Sequence, residues 1–185
     1  VSAATGYKQA YIIQNGQTIL GAGGGVCQVS TTLFRAVLNS GLEIVERHPH
    51  AYRVNYYEQD KPPGFDATVF IPSTDFRFKN DTNHYLLIQR VLDKENRYLS
   101  FKIYGQPDDR KVAISNQRVW DQVPPPKPLY IDDPSLPPGQ TKQIDYPAWG
   151  AKAAFDWQVT RNEKTIHQQT FFSHYQAWQA KYLRG

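Results

Sequence analysis

A single cysteine, Cys27, is the residue of this sequence that is best suited to covalent chemistry. It follows the glycine run 23–25 and precedes a segment with helical periodicity, Val29 to Leu38. A thiol in the first turn of a helix faces unpaired backbone N–H groups and the positive end of the helix dipole, which favour the thiolate. The glycines leave backbone N–H groups accessible to an oxyanion. The pattern predicts a nucleophile; the alternative is a small buried residue at a tight helix entrance.

The elements that follow Cys27 are predicted to bring two histidines back to it. A helix of about 14 residues, from Cys27 to Ser40, is ~20 Å long, and Gly41 is a typical C-terminal cap. The next segment, residues 42–48, predicts a strand of about 23 Å. An antiparallel return of nearly equal length places His48 and His50 level with the thiol, where an imidazole can act as a general base. The alternative is that both are surface histidines flanking a turn.

Of the two histidines, His50 is the preferred partner of Cys27. It lies beyond the predicted turn and beside the strand that leads to Asp66. Pro49 restricts His48 to extended backbone and fixes the direction in which each ring points. Only one imidazole is therefore expected to face the thiol.

Asp66 is the candidate third member of the site. A carboxylate can hold an imidazole in the productive tautomer and stabilise its cation. Asp75 is a second candidate for this role, and the structural alternative for Asp66 is an aspartate that closes the turn after Gly64. The order Cys, His, acidic residue is similar to that of papain-like and transglutaminase-like enzymes, although the Cys-to-His interval is shorter here. Such an analogy does not fix function.

A metal site is another interpretation of the same residues. Cys27, His48 and His50 are all metal-ligand types, but they supply only three protein donors. Neither a metal nor another cofactor is therefore expected.

Beyond the histidines the sequence indicates β structure. Segments with alternating or β-branched residues are separated by turns rich in Gly, Pro, Asn and Asp. The predicted strands are 52–57, 66–70, 75–79, 85–92 and 98–104. One principal helix that starts at Cys27 and packs on an antiparallel sheet predicts the α+β class.

A proline cluster at residues 123–128 precedes a second region. The cluster is extended and stiff, and the strands predicted after it are 141–146, 152–161 and 165–172, with a hairpin at 162–164. The predicted organisation is an α+β domain at 1–110, a proline-rich connection at 111–128 and a small all-β module at 129–185.

The composition excludes several classes of protein. The 185 residues are 40% hydrophobic and 14% aromatic, which is enough for a packed core. The net charge is +4 with dispersed basic residues, so nucleic-acid binding is not expected. No apolar run approaches the length of a membrane-spanning helix, so no transmembrane segment is expected.

Three segments carry longer motifs. They are residues 23–33 (GGGVCQVSTTL), 41–50 (GLEIVERHPH) and 64–69 (GFDATV), accompanied by Gly6-Tyr7-Lys8 and Asn15-Gly16. These motifs closely resemble the VanW-like family, bacterial envelope proteins named for an accessory gene of vancomycin resistance, and the resemblance covers residues 6–105. It implies a location in the cell envelope, outside the cytoplasm. No signal peptide is visible, which for such a protein indicates a trimmed N-terminus.

Three shorter segments mark the C-terminal part. They are Pro138-Gly139, Trp149-Gly150 and Phe172-Ser173-His174-Tyr175. They resemble the small glycine-marked β module that often follows VanW-like domains in envelope proteins, and this resemblance implies adhesion to wall glycans. Trp149, Trp157 and Trp178 are able to stack on sugars, although half-buried aromatic residues of a small β domain more often form its core.

Two functions of different class follow. In the preferred one, Cys27 is activated by His48 or His50, forms a thioester with an acyl group of a peptidoglycan stem peptide, and passes it to water or an amine. In the alternative, the chain is a non-catalytic module that binds the cell wall or a partner through its glycine loop. The partner expected in both cases is peptidoglycan or its precursors. The expected binding residues are Gly23, Gly24, Gly25, Gln28, Ser30 and Arg47.

Overall fold

The computed structural model describes residues 1–14 and 17–185. Within these ranges it has one α-helix, α1 (Val26–Ser40), and 3-10 turns at Ala3–Thr5 and Asn55–Tyr57. The strands are β1 (Gln9–Gln14), β2 (Gln17–Ala22), β3 (Glu43–Glu46), β4 (Arg77–Lys79), β5 (Leu87–Asp93), β6 (Tyr98–Tyr104), β7 (Arg110–Val123), β8 (Leu129–Asp132), β9 (Thr141–Asp145), β10 (Gly150–Arg161), β11 (Lys164–Tyr175) and β12 (Lys181–Arg184). No described helix has the length and apolar character needed to cross a membrane. Asn15 and Gly16, which contribute to the family resemblance, lie outside the described residues.

The described strands form five small sheets. Three are antiparallel pairs: β1 with β2, β3 with β4, and β5 with β6. In the fourth sheet β10 lies between β11 and β7 and is antiparallel to both. In the fifth, β12 is parallel to β8 and antiparallel to β9.

The predicted α+β class, with one principal helix packed on an antiparallel sheet, is wrong. Strands account for 46% of the chain and helices for 12%, so the protein is mostly β. The physical reason is that α1 has no single sheet beneath it. Its buried side chains pack against residues from several small sheets and from the extended segment around Phe65. An all-β C-terminal part is consistent with the strand content.

Helix α1 ends where the sequence predicts. Gly41 adopts a left-handed conformation with φ 71° and donates its N–H to the Leu38 carbonyl, which is the expected behaviour of a glycine after a helix. Strand β6 also has its predicted bounds, Tyr98–Tyr104.

The strands predicted at 52–57 and 66–70 are wrong. Residues 55–57 form a 3-10 turn. The segment that contains Ala67 pairs with helix side chains instead of a strand. Its N–H donates to Thr31 Oγ1 (3.1 Å), and its carbonyl accepts from the hydroxyls of Ser30 (2.5 Å) and Thr31 (3.2 Å). Side chains therefore satisfy the backbone groups that a strand partner would otherwise bind.

One hydrophobic core joins the helix to the C-terminal strands. Phe155 of β10 stacks on Phe65 with ring centroids 4.0 Å apart and on Phe171 of β11 at 5.0 Å. The buried core residues are Phe34, Val37, Leu38, Leu42, Ile44, Phe65, Ala67, Phe155, Trp157, Val159 and Phe171. They come from both sides of the predicted connection at 111–128, much of which forms β7. The division into two domains stays a prediction.

The C-terminal end of α1 is held by two side chains from the β7–β10–β11 sheet. Trp157 donates its indole N–H to the Leu38 carbonyl (3.0 Å), and Arg110 donates to the Gly41 carbonyl (2.7 Å). These bonds satisfy carbonyls that a helix end leaves unpaired. Trp157 and Trp178 are buried, as expected for core aromatics, whereas Trp149 is half exposed.

We expect Trp157→Phe to lower the free energy of unfolding by about 2 kcal/mol, because it shrinks a core side chain and removes the indole N–H bond to the Leu38 carbonyl. Urea denaturation followed by circular dichroism measures the change. Trp149→Phe is the matched control, and its effect should stay below about 0.5 kcal/mol. Equal effects of the two variants would contradict the role assigned to the buried indole.

Candidate active site

Cys27 lies in the first turn of α1, two residues after Gly25, which caps the helix in a left-handed conformation with φ 88°. The N–H groups of Gln28 and Val29 both bond to the Gly25 carbonyl at 3.1 Å. Among the described residues, no acceptor engages the backbone N–H of Cys27 itself. A free N–H beside the sulfur at a helix start is a donor suited to an oxyanion.

The Cys27 thiol is partly buried and lies among polar groups. Its Sγ is 3.4 Å from Thr68 Oγ1 and 3.5 Å from the Val69 carbonyl oxygen, and the His50 ring is a neighbour that influences its ionisation. Burial alone would raise the pKa of the thiol. The hydrogen bonds with His50, Thr68 and the Val69 backbone outweigh burial and lower the pKa from 9.0 to about 7.

His50 is buried and bonded to Asp66 through two atoms. Its backbone N–H donates to Asp66 Oδ2 (2.7 Å), and its Nδ1 is 2.6 Å from the same oxygen. With Nδ1 engaged in this way, Nε2 is the ring nitrogen left for the sulfur of Cys27. Burial would lower the pKa of His50, but the hydrogen bonds with Asp66 and Cys27 raise it to about 9. The two shifts have the same effect, since a lowered thiol pKa and a raised imidazole pKa both favour a thiolate beside an imidazolium near neutral pH.

Both carboxylate oxygens of Asp66 are engaged. Oδ2 accepts the two bonds from His50, and Oδ1 accepts from Arg47 Nη2 (3.1 Å) and the Tyr175 hydroxyl (2.5 Å). Burial would raise the pKa of this carboxyl, yet the His50 hydrogen bond and the Arg47 charge hold it at about 2. Asp66 is thus a fixed anion behind the imidazole, as the sequence predicts for a third member.

Arg47 serves as the internal counter-ion of this carboxylate. Its side chain is 2% exposed. It donates from Nε to the Asp66 carbonyl (2.7 Å), from Nη2 to the Gly64 carbonyl (2.7 Å) and from Nη1 to Ser173 Oγ (2.9 Å). The structure therefore places Arg47 behind Asp66, where it orients the carboxylate.

Other predicted residues lie apart from the thiol. The His48 ring is half exposed, and its Nε2 is 3.0 Å from Glu46 Oε1. Asp75 is exposed and pairs with Arg77. The three donors considered for a metal, Cys27, His48 and His50, are consequently not assembled. In residues 1–14 and 17–185 no group of three or more His, Cys, Asp or Glu side chains is placed to hold a metal ion.

The predicted binding residues at the helix start have different surroundings. A Cβ on Gly24 would lie 2.1 Å from the Cβ of Ala10, whereas one on Gly25 would meet nothing within 4 Å. Gly23, near Val1, is also crowded. Gln28 is exposed, and Ser30 is buried with its hydroxyl on backbone carbonyls. Open space therefore begins at Gly25, next to the free N–H of the following turn.

Sequence reasoning missed several neighbours of the site. Thr68, two residues after Asp66 in the GFDATV motif, is the one with a local signal, because alternate residues of an extended segment share a face. Tyr57 is buried, and its ring centroid is 5.1 Å from that of His50. The sequence pattern predicts it in a strand, 52–57, and gives no sign of this contact. Tyr175 is separated from Asp66 by 109 residues, and no spacing rule relates positions so far apart.

Comparisons with known proteins identify relatives of the chain. A family model described as VanW like protein matches residues 1–104. The uncharacterized protein YoaR of Bacillus subtilis (strain 168) is 51% identical over 84 residues, which are 45% of this chain and 26% of that protein. The vancomycin B-type resistance protein VanW of Enterococcus faecalis (strain ATCC 700802 / V583) is 35% identical over 104 residues, which are 55% of this chain and 35% of that protein. The chain thus spans about a quarter to a third of the length of these relatives.

A solved structure, the crystal structure of HP0197-G5, aligns with 40% of this chain and 99% of its own length, with 17% identity and a TM-score of 0.21. A score this low carries no argument about the fold. The family match is different in kind, because it extends over more than half of the residues and includes Cys27, His50 and Asp66. The chain belongs to the VanW-like family, which includes a vancomycin resistance protein.

Proposed function

We propose that this chain is a cysteine-dependent acyl hydrolase or transferase that acts on peptidoglycan stem peptides in the cell envelope, outside the cytoplasm. The observation that supports it best is the Cys27–His50–Asp66 array, in which a buried carboxylate bonds to an imidazole that lowers the pKa of the Cys27 thiol. The substrate class and the location rest on the family resemblance. The name of the enterococcal relative assigns that protein to vancomycin resistance.

The first half of the reaction forms a thioester. The Cys27 thiolate attacks the carbonyl carbon of an amide in the stem peptide, and the carbon–sulfur bond forms as the carbonyl oxygen becomes an oxyanion. The backbone N–H of Cys27 is available to stabilise that oxyanion. The oxyanion then collapses, the carbon–nitrogen bond breaks, and the His50 imidazolium gives its proton to the departing amine.

The second half returns the enzyme to its starting state. Water or an acceptor amine attacks the thioester carbonyl while neutral His50 takes its proton. The carbon–sulfur bond breaks, and the thiolate leaves beside the imidazolium. Water as the attacking group gives hydrolysis, and an amine gives transfer. Asp66 stays ionised throughout, because its pKa of about 2 lies far below the working range.

The ionisation of Cys27 yields the first prediction on this mechanism. At pH 7 a thiol of pKa about 7 has about 50 times more thiolate than one of pKa 9. Its lower basicity reduces nucleophilicity by about tenfold, so iodoacetamide should alkylate Cys27 about fivefold faster than a thiol of pKa 9. The rate should reach half of its maximum near pH 7. A midpoint near pH 9 would refute the ion pair.

The second prediction separates the two histidines. His50→Asn keeps an N–H for Asp66 but removes the ring nitrogen that faces the sulfur. The alkylation midpoint should then rise from about 7 towards 9.0, with about a fivefold lower rate at pH 7. His48→Ala is the control, because its ring is half exposed and bonded to Glu46, and its profile should match the wild type. The dyad is disproved if His50→Asn behaves as the wild type does.

The third prediction concerns the covalent intermediate. Incubation with muropeptides from purified peptidoglycan should add an acyl mass to the intact protein, detectable by mass spectrometry, and release hydrolysed or transferred products. Cys27→Ser should keep the fold and show neither, because a serine hydroxyl is not ionised at the pH that ionises this thiol. If the wild type and the Cys27→Ser variant both sediment with insoluble peptidoglycan and neither forms an acyl adduct, the result would instead support the non-catalytic binding module.

A further inference from the structure

We infer that Tyr175 is a positioning residue for the Cys27–His50–Asp66 array, so that strand β11 completes a site whose reacting groups all come from the first 66 residues. The inference rests on the proposed function, since it concerns the same thiol. It adds a part of the molecule that the family match, residues 1–104, does not include.

Tyr175 holds the carboxylate oxygen that His50 does not use. Its hydroxyl donates to Asp66 Oδ1 at 2.5 Å, and the residue is 3% exposed. Asp66 Oδ2 meanwhile accepts from both the backbone and the ring of His50. A carboxylate with a donor on each oxygen cannot rotate about its Cβ–Cγ bond without losing one of them. The direction in which Oδ2 points, and with it the position of the imidazole, therefore depends on Tyr175 together with Arg47, whose Nη2 donates to the same Oδ1 at 3.1 Å.

The Tyr175 phenol remains protonated, and so remains a hydrogen-bond donor, over the whole pH range in which Cys27 and His50 are charged. Burial and the neighbouring Asp66 charge raise the pKa of Tyr175. The other charged groups nearby do not compete for its proton: Arg47 is a cation bonded to the same carboxylate, and Arg53 is paired with Glu58 at 2.7 Å. Tyr175 is consequently a neutral donor both below and above the pKa values of Cys27 and His50.

The same strand also fixes the groups around the carboxylate. Arg47 donates to Ser173 Oγ (2.9 Å) and to the Phe172 carbonyl (3.1 Å). Just beyond β11, the Gln176 N–H donates to the Ala51 carbonyl (2.8 Å), next to His50 in the chain. Residues 172–176 thus bond to Asp66, to its counter-ion Arg47 and to the backbone next to His50. Pairing of β11 with β10, which extends to Tyr175 opposite Ala151, keeps this segment in place.

The test is Tyr175→Phe, which removes one hydrogen-bond donor and keeps the ring. A looser imidazole should raise the thiol pKa by about half a unit, so the midpoint of the curve of iodoacetamide alkylation rate against pH rises by about half a unit. At pH 10, where both thiols are ionised, the two rates should agree within about twofold. Tyr130→Phe makes the same chemical change on half-exposed β8, where Tyr130 stacks on Tyr182, and its profile should equal the wild type.

If the Tyr175→Phe protein folds cooperatively and the midpoint of its curve of alkylation rate against pH is unchanged, the inference is overturned. Tyr175 then has a packing role only. Should that variant not fold, Ser173→Ala removes a partner of Arg47 on the same strand, and an unchanged midpoint there has the same meaning. The readout needs no substrate. A shifted midpoint without acyl transfer by the wild type would therefore refute the proposed function alone, whereas acyl transfer with an unshifted midpoint would refute the positioning role alone.

Discussion

A buried carboxylate is the constraint on which the rest of the site depends. An ionised Asp66 in the protein interior would cost several kcal/mol if any of its partners were missing. Four donors from three side chains and one backbone group compensate it: the N–H and ring of His50, the Arg47 guanidinium and the Tyr175 hydroxyl. Each partner is itself held by the fold, so the carboxylate, its counter-ion and the imidazole form one arrangement with little freedom.

The helix that carries Cys27 is coupled to this carboxylate through the backbone. Thr31, one turn after Cys27, both donates to and accepts from the peptide groups of Ala67, the residue next to Asp66. At its other end α1 is held by Trp157, which belongs to the sheet that also supplies the phenol. The thiol and the anion therefore cannot move apart without breaking buried hydrogen bonds. The N-terminal end of the helix, in contrast, keeps a free N–H for chemistry.

The parts that sequence predicts correctly are those encoded locally. Glycines on both sides of α1 mark its ends. The return segment places His50, though not His48, near Cys27, but its strand, Glu43–Glu46, is shorter than the predicted 42–48. The strand prediction fails where side chains replace a strand partner, as at Ala67. The predicted fold class is wrong because it gives one distinct helix more weight than the many short strands. Contacts between distant segments, such as that of Tyr175 with Asp66, leave no periodicity to detect.

The 109 residues between Asp66 and Tyr175 have a consequence for the order of folding. A nascent chain that emerges from the ribosome contains Cys27 long before it contains the strand that fixes the carboxylate. Contacts of such sequence separation form late, because closing a long loop costs entropy before any contact repays it. In the proposed function, the lowering of the thiol pKa is therefore complete only once this late contact has formed, and an incompletely folded chain carries a less reactive thiol.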